Sequence, residues 1–269
     1  MNWNKAKNIL ILFLLFTSIL LSAMLFSSEK KSKQVEPQTV TYALKLLKDK
    51  GVKVSPELIP ITLGTVPVFE SENAVTDYDE FAKRIFPINT KITDNLFTSQ
   101  DGSIVFNGDS FSINFNNGID TDTKLKSPSE KAKSYLSTIG IDVFNAEVNT
   151  SNNAQGLFTV SFTEILDNKR FFDSQISVNL LGKKIISVNG TWFTKKSTLS
   201  NNASLDSAPG LLIKFASENN DFTNLEISSL ELGYAINEQG VFHKQSTILP
   251  VYQIITTDGR KFFIDARRK

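Results

Sequence analysis

Cysteine is absent from this sequence of 269 residues, and histidine occurs once, as His243. Without cysteine the chain forms no disulfide, binds no metal through thiolates and has no thiol nucleophile. A Ser-His-Asp triad would have to use His243, and the Gly-x-Ser-x-Gly motif of a nucleophile elbow is missing. Zinc sites usually combine several His or Cys ligands. We therefore expect a protein that is not an enzyme and that has no catalytic residues.

Other chemical motifs are missing as well. The sequence contains no glycine-rich phosphate loop. Asp120 and Asp122 could bind calcium, but their segment, "NGIDTDT", does not complete an EF-hand loop. The acids Asp77, Asp79 and Glu80 fall in the first turn of a predicted helix, where negative charge favours the helix dipole. We expect no metal and no cofactor.

The charges are almost balanced, with 29 Lys and Arg residues against 28 Asp and Glu residues. Proteins that bind nucleic acids carry a surplus of basic residues that neutralises phosphates. This chain has no such surplus, so nucleic acid is not an expected partner.

An apolar run occupies residues 9–26, interrupted only by Thr17, Ser18 and Ser22. As a helix it would be about 27 Å long, close to the ~30 Å hydrocarbon core of a bilayer. The run ends in Met24-Leu25-Phe26, which does not resemble a small-x-small cleavage site. The sequence predicts a retained anchor in the lipid bilayer rather than a cleaved signal peptide.

The predicted topology follows from this anchor. Residues 1–8 are a short cytoplasmic N-terminus, residues 9–28 the transmembrane signal anchor and residues 29–36 a polar linker. Because eight residues form no domain, the short flank favours a single-pass protein of the cell membrane with its C-terminal domains extracytoplasmic.

Three residues are candidates for contacts of the anchor. Trp3 is expected at the headgroup level, where aromatic side chains concentrate. Ser18 and Ser22 are four residues apart on one helix face, a small-xxx-small spacing that permits a second helix to approach closely. Such spacings also occur by chance in many membrane spans.

After the linker, helical patterns alternate with strand patterns. In "SPSEKAKSYLSTIG", Ser127 and Glu130 predict a capping box with Pro128 at the first helical position. Similar apolar periodicity predicts helices in "PQTVTYALKLLKDKG", "TDYDEFAKRIFP" and near residues 208–218. Strands are predicted near residues 91–99, 103–107, 110–115, 146–151, 156–166, 171–180, 184–194, 226–237, 251–257 and 261–266. The pattern indicates an α+β fold with helices packed on antiparallel sheets.

One internal similarity divides the chain. "LKDKGVKV" aligns with "LSTIGIDV" at an offset of 89 residues, and in both a helix end and a glycine precede an apolar-x-Val sequence. We therefore predict two related α+β domains, at residues 37–125 and 127–269. Gly helix caps are common, so chance similarity is the alternative interpretation.

The opening "MNWNKAKNILILFLLF" resembles the start of YycI (WalI) proteins of low-GC Gram-positive bacteria. "LELGYAINEQ" followed by "LPVYQIITTDGRKFFIDA" is similar to the C-terminal region of the same family. The general layout agrees over essentially the whole chain. None of these motifs is specific by itself, and the resemblance depends on their combination.

The resemblance implies a fold and a function. YycI proteins are anchored by one N-terminal helix, and their extracytoplasmic part has two α+β domains similar to those of YycH. With YycH they associate with an essential sensor histidine kinase (WalK, or YycG) of a two-component regulatory system that controls cell-wall metabolism. The transmembrane helices contribute much of that contact, and the family has no catalytic residues.

Two other hypotheses remain from the sequence. The protein could be an anchored extracytoplasmic binding or inhibitor module for a cell-wall polymer or an exported protein. A wall hydrolase is the weakest hypothesis, because the sequence lacks a matching set of acid, base and nucleophile.

Overall fold

The computed structural model describes Lys7, Ile11 and Val35 and residues 13–22, 37–61, 64–87, 90–93, 95–120, 124–218, 225–236 and 244–268. Residues 13–22 are helical. In the described chain that follows them, the helices are α1 (Pro37–Asp49), α2 (Tyr78–Ile85), α3 (Pro128–Thr138) and α4 (Ala208–Glu218), with a 3-10 turn at Pro56–Leu58.

The helix signals in the sequence are confirmed. At the start of α3, the Ser127 hydroxyl accepts a hydrogen bond from the Glu130 backbone N–H (3.1 Å). The Glu130 carboxylate accepts one in return from the Ser127 N–H (3.1 Å), which completes the capping box. At α2, Asp77 accepts a hydrogen bond from the Glu80 N–H (2.9 Å) and so acts as the N-cap.

The strands within the described residues are β1 (Val52–Val54), β2 (Thr65–Asn73), β3 (Thr90–Thr93), β4 (Leu96–Ser99), β5 (Gly102–Asn107), β6 (Ser110–Asp120), β7 (Glu147–Asn152), β8 (Leu157–Leu166), β9 (Lys169–Leu181), β10 (Lys184–Thr191), β11 (Phe193–Ser204), β12 (Leu225–Ile236), β13 (Gln245–Thr256) and β14 (Lys261–Asp265). They form one hydrogen-bonded network. The fold is therefore α+β and rich in sheet, as the sequence predicts.

This network has two parts. Sheet I contains β1, β2, β11, β12, β13 and β14, and it is built around the antiparallel β12–β13 pair. Sheet II contains β3 to β10, and the pairs within it are antiparallel. A parallel bridge between Tyr234 of β12 and Phe171 of β9 joins the two sheets. The β1–β12 pair is also parallel, so the predicted antiparallel pattern holds for most pairs but not for all.

The buried side chains form two main clusters. The larger one runs from Val75 to Trp192 and combines α2 and α3 with strands of sheet II. The second combines residues between Leu47 and Val66 with residues between Leu205 and Ala266, under α1 and α4 on sheet I. The middle of the chain thus builds one core, and the two flanking parts build the other. Each cluster groups residues from both sides of position 126. The predicted division into 37–125 and 127–269 stays a prediction.

The sequence prediction missed three strands: β1, β2 and β11. β2 contains Pro67, a residue that is rare within strands, and its sequence "TVPVFESEN" lacks a clean alternation. β11, "FTKKSTLSNNAS", is polar, mostly exposed and paired to β2 through several register shifts. The strand predicted near 184–194 is instead β10 followed by β11, on either side of the fully buried Trp192.

Candidate functional site

The residues predicted to form the anchor contact lie only partly within the described chain. Ser18 and Ser22 belong to the helical segment 13–22, and both are exposed. Trp3 lies outside the described residues. In the part of the chain that the structure describes, no helix has both the length and the apolar content to cross a bilayer.

The segment 13–22 exposes large apolar side chains around its whole circumference. Phe13 and Phe16 are more than 60% exposed. The other exposed apolar side chains are Leu14, Leu15, Ile19, Leu20 and Leu21. The hydroxyl of Thr17 donates to the carbonyl oxygens of Phe13 (3.1 Å) and Leu14 (3.0 Å), so it needs no partner outside the helix. A helix with this surface is suited to an apolar environment or to a second apolar helix.

A second candidate site is a cleft of about 490 Å³. It lies between sheet I and the β5–β6 turn, residues 107–110, with β9 along one side. Its floor is the face of sheet I that carries Glu231, Gln253 and Phe263, which stand opposite one another in register across β12, β13 and β14. The neighbouring residues Tyr252 and Ile254 belong to the core cluster under α1 and α4. The cleft therefore lies on the opposite face of sheet I from these helices.

Gln253 is the most unusual residue of this cleft. It is only 6% exposed. Its side chain lines the cleft, and it is not among the described residues whose buried side-chain polar atoms lack a hydrogen-bond partner. Gln253 thus presents one acceptor and two donors to the cleft.

Two carboxylates and one ammonium group also line the cleft. Asp173 accepts a hydrogen bond from the Ile236 backbone N–H (2.8 Å). Burial raises the pKa of Asp173, and the negative charge of Asp109 raises it further. Asp109 in turn accepts a hydrogen bond from the Asn73 side chain (3.3 Å). Lys261 also lines the cleft, so the lining carries two carboxylates and one ammonium group.

Aromatic rings complete the lining. The rings of Phe172 and Phe263 are 5.6 Å apart, and Phe263 is 40% exposed. Phe172 lies directly over Gly233, where a Cβ atom would stand only 2.4 Å from the ring. Glycine is therefore required at position 233 for this ring to take its place.

Beside the cleft, Arg170 connects the two sheets. Its guanidinium donates to both carboxylate oxygens of Glu147 on β7 (2.6 and 2.7 Å) and to Glu231 on β12 (3.2 Å). Hydrogen bonds from Arg170 lower the pKa of Glu147. The bidentate pair with Glu147 lies within sheet II, and the single hydrogen bond to Glu231 is what links Arg170 to sheet I.

The residues considered for other chemistry do not form such a site within the described chain. Asp77 caps α2, and Glu80 forms an ion pair with Arg84 (3.1 Å) one turn later. Asp122 and His243 lie outside the described residues. Among the residues that are described, no group of three or more His, Cys, Asp or Glu side chains could hold a metal ion.

The sequence reasoning missed the cleft because its residues come from distant strands. Asp109, Asp173 and Gln253 are brought together only by the pairing of β9, β12 and β13. One signal was present, however: Gln253 is the only amide in "LPVYQII", an otherwise apolar run. A polar residue within an apolar strand is a local inconsistency of the kind expected at functional or strained sites.

No protein-family model matches the chain, and no curated protein sequence matches it. Solved structures that it resembles include an uncharacterized protein from Eubacterium rectale ATCC 33656, at 10% identity and a TM-score of 0.45, over 81% of this chain and 87% of that one. YycH from Bacillus subtilis is 13% identical with a TM-score of 0.44, over 81% of this chain and 59% of YycH. The C-terminal domain of Bacillus megaterium YpeB is 11% identical with a TM-score of 0.27, over 87% of this chain and 94% of that one. Likenesses this distant do not assign a function.

Proposed function

We propose that this protein is a single-pass membrane accessory protein that regulates a sensor histidine kinase of cell-wall homeostasis, together with a YycH-like partner. Residues 9–28 are its anchor. The part of the chain that follows the linker, its folded body, is extracytoplasmic. The proposal rests on the resemblance of the N-terminal and C-terminal motifs to YycI proteins. Its main physical support is the apolar surface of the segment 13–22, which the described remainder of the protein does not cover.

The physical basis of the contact is helix packing. In a bilayer, lipid tails compete equally with Leu side chains, so pairing of helices depends on close packing and on polar contacts. Ser18 and Ser22 provide the small residues of this segment on a single face. A regulator shifts a kinase only when it binds the signalling states of the kinase with different free energies. The proposal therefore requires a contact that differs between these states.

The paired variant Ser18→Leu/Ser22→Leu tests the contact. We expect it to remain in the membrane, because the change makes the segment more apolar. Its co-purification with the kinase from membranes should fall about tenfold, since the added side chains prevent close approach.

Leu20→Phe is the matched control, because it adds bulk on the opposite side of the same helix. We expect this variant to co-purify like the unmodified protein. Full kinase recovery with the paired Ser variant would show that this face is not the contact.

A further inference from the structure

We propose that the cleft between sheet I and the β5–β6 turn binds a saccharide of a few units. The inference does not depend on the regulatory function proposed above, because it rests on residues of the folded body alone. The volume of the cleft, about 490 Å³, falls within the ~300–1,000 Å³ of typical small-molecule sites.

Gln253 carries the first step of the argument. Its amide lines the cleft and is suited to a ligand that both donates and accepts hydrogen bonds. Neighbouring hydroxyls of a sugar, or a hydroxyl beside an acetamido group, supply both kinds of group.

The charges narrow the class of ligand. Asp109 and Asp173 repel phosphates and other anions, while Lys261 opposes the binding of a strongly cationic group. An uncharged ligand rich in hydroxyls avoids both penalties. Carboxylate oxygens are strong acceptors for hydroxyl groups, and the pairing of Asp173 with the Ile236 N–H holds its carboxylate in place.

The aromatic rings supply the remaining contact. Phe263 presents an exposed ring beside the amide of Gln253, its neighbour in the register of β13 and β14. The C–H face of a pyranose ring can pack on such a surface while its hydroxyls reach the polar groups. This combination of apolar walls with a few fixed polar groups is typical of small-molecule sites.

The test is calorimetric titration of the full chain, in a detergent without a sugar headgroup, with N,N′,N″-triacetylchitotriose and separately with maltotriose. We expect at least one probe to bind with a Kd at or below about 1 mM. Gln253→Met should remain folded and should weaken binding about tenfold or more. Phe263→Ala, at a half-exposed position, should also weaken binding about tenfold.

Gln155→Met is the matched control, because it makes the same chemical change at an exposed turn that does not line the cleft. We expect it to bind like the unmodified chain. Absence of binding of both probes up to about 10 mM would overturn the inference. Binding that is equal in the unmodified chain, Gln253→Met and Phe263→Ala would also overturn it, because the saccharide would then lie elsewhere. Neither result would affect the proposal for the N-terminal helix.

Discussion

The N-terminal helical segment and the folded body differ in how far their large apolar side chains are exposed. In the body, Phe162 and Ile254 are fully buried within two core clusters. In the segment 13–22, Phe13 and Phe16 are among the most exposed apolar residues described. The hydrophobic effect acts on both regions with the same strength per unit area. The body thus buries these side chains within itself, whereas the described residues leave those of the segment exposed, which is the surface that the proposed anchor requires.

A matched pair of substitutions tests this comparison with the largest expected effect. Phe162→Ala removes a fully buried ring from the larger core and should lower the free energy of unfolding by about 3–5 kcal/mol. Phe16→Ala removes the same atoms from the exposed segment and should change that free energy by less than about 0.5 kcal/mol. Urea unfolding followed by circular dichroism measures both values. Comparable losses of stability in the two variants would show that the segment packs on the body.

The two regions should also differ in their response to pH, although the expected effect on stability is smaller. Burial, and to a lesser degree the charge of Asp142, raises the pKa of Glu164 in β8 to about 7. The folded body therefore holds a proton on Glu164 more tightly than the unfolded chain does. The resulting stability is complete below the ordinary Glu pKa of about 4.3 and is lost as pH rises through about 7. Glu164 is partly exposed and solvent screening weakens the effect, so we expect the unmodified protein to lose on the order of 1 kcal/mol between pH 5 and pH 8 through this group.

Glu164→Gln should remove this part of the pH dependence. The contribution of Asp173 remains in both proteins, so the difference between the two unfolding curves isolates Glu164. Residues 9–26 contain no titratable side chain. Binding of the kinase through the segment should therefore change with pH much less than the stability of the body does. Equal slopes of stability against pH in the two proteins would contradict the assignment of the raised pKa to Glu164.

The sequence predicted local structure well where local interactions decide it. The capping box of Ser127 and Glu130 depends on residues three apart, and it is present. The extent of α4 was also predicted correctly, because its apolar periodicity is regular. By contrast, β11 is polar and exposed, so no alternation marked it as a strand.

Long-range arrangement was less predictable. The bridge from Tyr234 to Phe171 joins strands 63 residues apart in sequence, and nothing in either segment indicates its partner. The cleft depends on that junction, and so its residues could not be grouped in advance. The N-terminal segment is the reverse case. Its apolar run was evident in the sequence, and the structure adds that side chains of residues 13–22 are exposed.

The central claim is that residues 9–28 transmit the regulatory effect. The most direct measurement is kinase activity in membranes that contain the full chain with this span replaced by an unrelated transmembrane helix of equal length. The body should still fold and reach the membrane, and we expect regulation of the kinase to be lost. Normal regulation by the protein with the replaced span would contradict the claim and would assign the effect to the folded body.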